Sequence, residues 1–337
     1  MIGKVLFVTE QFYGGNPEWG PSNIEVVLVE TLVDSGLAHE ISQFYYDQLS
    51  KQVGSYMGEV LVETCAGYRP DLVVFFPMGL LGIDPPRTAM GVISNTLGIK
   101  VLLMRGDSIG PEGHRFNTTW FPFVDYIAFL DSSLGHLGYG QEAKAVQAIQ
   151  SFNARYFYDK KLERDIDVSF VGSVGDWPKR AEYIGFLRQH GVGVVARGGQ
   201  RFDRLGWGEY SDIINRSKIS LNFCLNGSGY TQIKGRVFEV TSCRTLLIED
   251  EGIETKDFFD EGKDFVMCRG KEEMLEKVKY YLAHDSEREA IAESGYRKVT
   301  ELYNSKNVWA YMLNKIGFSI TGDEHWGQLY SKLEALR

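Results

Sequence analysis

The chain has 337 residues, 44% hydrophobic and 24% charged, with a formal net charge of −9 and a pI near 5.3. Such a composition suits a soluble globular protein of about two domains, and its negative field argues against nucleic acid as a partner. Nowhere does an uninterrupted apolar run approach the roughly 18 residues of a membrane span, so no integral membrane segment is expected.

In chain order, short apolar runs alternate with longer amphipathic segments, the pattern of parallel α/β sheets. "KVLFVT" (4–9) predicts the first strand; the N-terminus lacks a small-residue cleavage site and does not read as a signal peptide. A glycine-rich loop follows, then a helix from about Ser22 to Val33, a candidate strand "ISQFYY" (41–46) and a helix over roughly 52–67. "DLVVFFP" (71–77), "KVLLM" (100–104) and "DYIAFLD" (125–131) are further strands, the last being the final clear one of this half. "SFNARYFYDKKLERDID" (151–167) reads as a linker. The alternation restarts with "VSFVGS" (168–173), a helix near 177–190, "GVVAR" (193–197), a helix over 210–218 and "ISLNF" (219–223). "KGRVFEVTSC" is the next helix, "TLLIED" and "DFVMC" (264–268) are strands, and Lys271 to Lys315 is nearly all helical, with one more helix around Trp326, Leu329 and Leu333. Cys65, Cys224, Cys243 and Cys268 form no CxxC pair, so zinc and dithiol chemistry are unsupported and reduced, mostly buried thiols in a cytoplasmic protein are expected.

The most informative stretch is "QIKGRVFEVTSCRTLLIED" (232–250), where Glu239 sits among apolar residues with Lys234 and Arg236 just upstream. A helix opening here would offer free N–H groups and a partial positive charge, to which Lys234 and Arg236 add formal charge, a combination suited to phosphate. Glu239, about a turn and a half in, could accept two hydrogen bonds from a vicinal diol such as a ribose. The alternative is that it pairs with Lys234 or Arg236 and ties the helix down.

In the C-terminal half, "DVSFVGSVGDWPKRAEYIGFL", "YSDIINRSKISLNF", "QIKGRVFEVTSC", "FFDEGKDFV" and "YYLAHDSEREAIAESGYRKV" occur in this order over roughly 165–300. As a set they resemble the glycosyltransferase group related to the spore-maturation protein CgeB, within the wider GT-B glycosyltransferases. The resemblance implies two Rossmann-like parallel-sheet domains facing a central cleft: an acceptor-side domain over 1–155, a nucleotide-sugar domain over 165–305, and C-terminal helices (306–337) crossing back onto the first, with Trp309 as anchor. It implies that Glu239 binds the ribose and that Lys234 and Arg236 lie near the diphosphate. Gly172, Ser173 and, more weakly, Arg180 are further donor-site candidates, and "ARGG" (196–199), by topology alone, follows a strand end where main-chain groups could hold the base.

The sequence departs from the family pattern at Thr231, where many retaining relatives carry an acid eight positions before the ribose-binding glutamate, and at Arg244, where a glycine is usual. On the acceptor side, Asp107 in "MRGDSIG" is a candidate general base at a strand's carboxyl end, and Gly14 and Gly15 would let the first loop approach the diphosphate or acceptor. "DID" (165–167) precedes a strand and so lies at the wrong edge for a metal site. No metal or other cofactor is expected. The function implied is transfer of a sugar from a nucleoside diphosphate, UDP by family frequency, to an acceptor that is a glycan, a protein or a small molecule. The alternatives are a nucleotide-sugar-binding protein without transferase activity and a nucleotide-sugar 2-epimerase on the same frame.

Overall fold

The computed structural model describes residues 1–79, 82–106, 108–131, 142–175, 177–198, 204–225 and 229–336. The chain divides into two compact units, Met1–Ser151 together with Ser305–Arg337, and Phe152–Asn304.

The first unit is built on β1 (Ile2–Thr9), β2 (Ala38–Tyr45), β3 (Leu72–Phe75), β4 (Lys100–Arg105), β5 (Tyr126–Phe129) and β6 (Ala145–Gln147). They form one sheet in the order β2-β1-β3-β4-β5-β6, every pair parallel. A parallel sheet is covered on both faces, so its strands read as continuous apolar runs; all four residues of β3 are buried. Around it lie α1 (Glu30–Ser35, entered through a π turn over Glu25–Val29), α2 (Tyr46–Val53), α3 (Met57–Tyr68), α4 (Arg87–Asn95) and α5 (Pro111–Trp120). The predicted helix over 52–67 begins earlier and in two pieces, because β2 passes straight into α2 at Tyr46. The strand expected to be last of this half is followed by β6, whose three residues are too few to show a period and are held by register with β5.

The second unit carries β7 (Ile166–Val171), β8 (Val194–Arg197), β9 (Ser217–Phe223), β10 (Leu246–Asp250) and β11 (Val266–Cys268), all parallel in the order β11-β10-β9-β7-β8. Its helices are α6 (Pro178–Gln189), α7 (Trp207–Asn215), α8 (Gly235–Ser242), α9 (Lys271–Ala283) and α10 (Asp285–Leu302). The predicted linker is a packed part of this unit. Phe157 is buried edge-on against Tyr210, with ring centroids 5.1 Å apart. Arg164 donates to Ser217 O and Thr245 Oγ1, both at 2.6 Å, and to the carbonyls of Cys243 (3.1 Å) and Arg244 (2.7 Å) just past α8. One guanidinium thus satisfies carbonyls that a helix end leaves open.

The last helices, α11 (Ser305–Lys315) and α12 (Trp326–Ala335), belong to the first unit. Trp309 is 1% exposed, packs edge-on to Phe7 and donates its indole N–H to Thr31 Oγ1 at 2.9 Å. Glu334 of α12 takes the Tyr311 hydroxyl and pairs with Lys315, both at 2.9 Å. All four cysteines are buried free thiols. No helix among the described residues is long and apolar enough to cross a membrane.

Candidate functional site

In the second sheet the strand order reverses between β7 and β9, and open α/β sheets bind ligands outside the carboxyl ends of strands at such a point. β7 ends at Val171 and passes into Gly172 and Ser173. Gly172 has φ 152°, and a β-carbon there would lie 2.5 Å from Arg236 Nη2. Only glycine lets the Arg236 guanidinium lie against this strand end.

Arg236 stands in the first turn of α8, whose N-cap is Lys234, half-buried with extended backbone and no side-chain cap bond. The leading N–H groups of α8 are therefore not capped by that side chain, and the helix dipole adds positive potential. Arg236 Nη1 donates to Asn222 Oδ1 at 2.8 Å, and its guanidinium lies 4.9 Å from the Phe170 ring centre. Asn222 in turn donates through Nδ2 to Glu249 Oε1 at 2.5 Å. Asn222 and Glu249 are register partners on β9 and β10, which sets this relay. Arg236 Nε and Ser173 Oγ are both buried without a hydrogen-bond partner among the described residues. Buried polar atoms nearly always have partners, so two unmet donors beside a helix N-terminus and a close-approach glycine mark this strand end as the candidate ligand site.

Glu239 lies one turn further along α8, 5% exposed, and accepts the Tyr210 hydroxyl from α7. Burial pushes its carboxyl above the usual carboxylate range, while the Tyr210 hydrogen bond and the charge of Arg236 pull it back. Burial and the Glu239 charge push the Tyr210 hydroxyl well up, so it stays a donor. The alternative pairing is not what Arg236 makes: its guanidinium bonds to Asn222. Glu249 is fully enclosed, and burial raises its carboxyl to about 7.

Arg180 is not at a solvated helix position. It is 8% exposed, donates to Ser173 O at 2.9 Å and stacks 4.1 Å from the Trp177 ring centre, bracing the turn after β7. At position 231 the missing acid has a neighbour that sequence reasoning missed: the Thr231 hydroxyl donates to Glu254 Oε1 at 2.8 Å, bringing a carboxylate from the turn over Glu254–Asp257. Arg244 occupies the left-handed conformation usual for glycine (φ 54°), at the far end of α8 from Arg236. Its charge is met by Glu293 (2.5 Å) and Asp159 (3.4 Å), so it does not serve the amino end of that helix. Asp165 and Asp167 pair with Arg216 and Lys218 at the amino end of β7. Among the described residues no group of three His, Cys, Asp or Glu is arranged to hold a metal ion. Of the "ARGG" turn, Arg197 pairs with Glu209 at 3.4 Å and Gly199 lies outside the described residues.

In the first unit Gly14 and Gly15 follow β1 with φ 59° and 70°. A β-carbon at Gly14 would strike the Trp19 ring at 2.8 Å, and the loop is anchored by Asp47, which accepts the N–H groups of Gln11 (2.8 Å) and Phe12 (3.1 Å). It is a built turn, not a loose surface one. Glu10, which the sequence did not single out, is 2% exposed beneath it and accepts the Ser22 hydroxyl at 2.8 Å. Asp107 lies outside the described residues.

A family model described as glycosyl transferase-like matches residues 155–314, the span that contains this site. A comparison with curated proteins finds no match. Among solved structures, the chain is similar to HepE from Anabaena in complex with UDP and glucose, at 12% identity over 94% of this chain and 99% of that one, with a TM-score of 0.66. It is also similar to the sucrose-phosphate synthase of Thermosynechococcus elongatus (10% identity, 99% and 100% covered, TM-score 0.58) and to the DNA-modifying enzyme beta-glucosyltransferase (12%, 94% and 100%, 0.57). The fold is thus α/β of the GT-B class, two Rossmann-like units each with a parallel sheet.

Proposed function

We propose that this protein is a glycosyltransferase that moves a sugar from a nucleoside diphosphate donor, a UDP-sugar foremost, to a hydroxyl acceptor. The observation that carries this reading is the pair of buried, unmet donors, Arg236 Nε and Ser173 Oγ, beside Gly172 and the amino end of α8. They suit a diphosphate, with Lys234 adding charge and Glu239 taking the ribose hydroxyls. The family model covers these residues; the HepE structure is a complex with UDP and glucose, and that of the beta-glucosyltransferase is described in the presence and absence of uridine diphosphoglucose.

In the reaction the acceptor oxygen attacks the anomeric carbon, the bond from that carbon to the diphosphate oxygen breaks, and the acceptor's proton passes to a base. Asp107 is our candidate for that base, with Gly14 and Gly15 lining the acceptor or diphosphate approach. Arg236, Lys234 and the α8 dipole stabilise the departing nucleoside diphosphate, charge compensation that requires no metal. Glu254, which accepts the Thr231 hydroxyl, is our candidate to contact the sugar ring in lieu of an acid at 231. The five matching segments make the CgeB-related group our choice of family, with a cytoplasmic site of action.

The test is thermal unfolding with UDP, UDP-glucose, UDP-N-acetylglucosamine and GDP-mannose. A ligand at 100 times its Kd stabilises by about 2.7 kcal/mol; the shift should appear with a uridine ligand and vanish in Arg236→Ala. Absence of any shift with all four overturns the reading. A chain similar at TM-score 0.51 is described as a UDP-N-acetylglucosamine 2-epimerase from Listeria monocytogenes, which keeps epimerisation as a second reading. A labelled donor altered without an acceptor would favour it over transfer.

A further inference from the structure

Behind Arg236 a chain of hydrogen bonds leads to an acid sealed from solvent. Arg236 Nη1 donates to Asn222 Oδ1 at 2.8 Å, and Asn222 Nδ2 donates to Glu249 Oε1. Asn222 and Glu249 are both 0% exposed. We propose that Glu249 is a positioning residue for the donor site: through Asn222 it aims Arg236 at the diphosphate, and the proton it gains or loses sets how tightly a nucleotide-sugar is held. This rests on the donor reading above.

The chemistry of the three side chains fixes the direction of the chain. A guanidinium only donates, so the Asn222 amide must turn its oxygen to Arg236 and its nitrogen to Glu249. Glu249 Oε1 must then accept, whatever charge the acid carries. Its other oxygen, Oε2, is buried without a hydrogen-bond partner among the described residues, as is the hydroxyl of nearby Thr255. A β-carbon at Gly252 would lie 1.8 Å from Oε2, so the backbone there closes directly against it. A proton can therefore come and go at Oε2 without breaking the relay. Burial raises this carboxyl to about 7, while Thr255, Cys224 and Asn222 draw it down, so both charge states are populated near neutrality.

A negative charge at Glu249 opposes a diphosphate held by Arg236, and the neutral acid does not. Binding is thus tighter below about pH 7 and weakens above it. The other titratable groups around Glu249 do not give that slope. Asp250 on the same strand is paired with Lys179 of α6 at 2.9 Å. Burial pushes the thiols of Cys224, just past β9, and Cys268, on β11, well up, so both keep their protons. Glu254, whose charge also reaches Cys224, is engaged by the Thr231 hydroxyl. Glu239 acts with the opposite sign, since losing its charge on acidification weakens its hold on the ribose hydroxyls.

The experiment is calorimetric titration of the full chain with UDP-glucose, UDP-N-acetylglucosamine and GDP-mannose from pH 6 to pH 8. Their diphosphates are esterified at both ends and exchange no proton in this range. In the parent, affinity should fall about fivefold or more across it, a typical coupling between linked sites. Glu249→Gln keeps an oxygen for Asn222 and cannot ionise, so its affinity should stay at the parent's acid-side level throughout. Glu249→Ala leaves the Asn222 amide unmet and should bind more weakly than the parent at every pH. A merely structural Glu249 would change the melting temperature of both variants without flattening the profile, so thermal unfolding is read alongside. A flat profile in the parent, a slope shared by Glu249→Gln, or parent-like affinity in a folded Glu249→Ala overturns the inference and leaves the donor reading standing. No binding of any of the three by the parent overturns the donor reading, and this inference with it.

Discussion

The hydroxyl of Tyr210 donates to the carboxylate of Glu239, joining α7 to α8 inside the second unit. An acid set in an apolar run thereby accepts a hydrogen bond from a buried hydroxyl, within reach of the Arg236 charge. Glu239→Gln keeps the shape and one acceptor oxygen but removes the charge. UDP-sugar affinity should fall at least about tenfold, in line with the roughly 1.5–3 kcal/mol of a hydrogen bond to a charged group. Because burial raises this carboxyl, affinity in the parent should weaken as pH is lowered, beginning above the range of an ordinary glutamate, and should not do so in the variant. Calorimetry across pH reads both. Tyr210→Phe should instead lower stability by about 1–3 kcal/mol, as it strips a buried acid of its donor, measured by urea unfolding.

Gly172→Ala tests the close approach of strand end and guanidinium. The new methyl would sit 2.5 Å from Arg236 Nη2 and 3.2 Å from the Phe170 ring, so the guanidinium must shift from its place against the strand end. Nucleotide affinity should drop at least tenfold, with a stability loss of roughly 1–3 kcal/mol from the strained backbone. Unchanged nucleotide binding in a folded variant would show that Arg236 does not act from this position.

Glu249 gives a pH signature in stability. Its folded pKa is raised from 4.5 to about 7, so the folded state holds the proton more tightly than the unfolded chain. Stability therefore falls as pH rises from about 4.5 to about 7, by up to about 3 kcal/mol. Glu249→Gln removes that slope, so the melting temperature of the variant should gain on the parent between pH 5 and pH 8. Parallel melting curves across this window would mean that Glu249 is ionised in the fold throughout it.

The sheets were legible because parallel strands are buried on both faces and announce themselves as apolar runs, as in "DLVVFFP" and "TLLIED". The question posed by Glu239 was legible too, since a carboxylate among Val237, Phe238 and Val240 demands a partner. The identity of that partner was not. Tyr210 lies 29 residues away on another helix, and only the packing of α7 beside α8 brings them together. The Arg236–Asn222–Glu249 relay depends on the register of β9 with β10, and Glu249 in the sequence is one more residue of a strand. Arg164 was hidden in what read as a linker, because its role, closing carbonyls beyond α8, exists only once that helix end is in place. The carboxylate beside position 231 likewise arrives from 23 residues downstream.

The return of α11 to the first unit means that the polypeptide passes between the units twice, after Ser151 and again after Asn304. A gene cut short at codon 304 would encode the second unit whole, yet the damage would fall at the opposite end of the sequence. Phe7 would lose the indole that covers it, and the Thr31 hydroxyl the N–H it accepts.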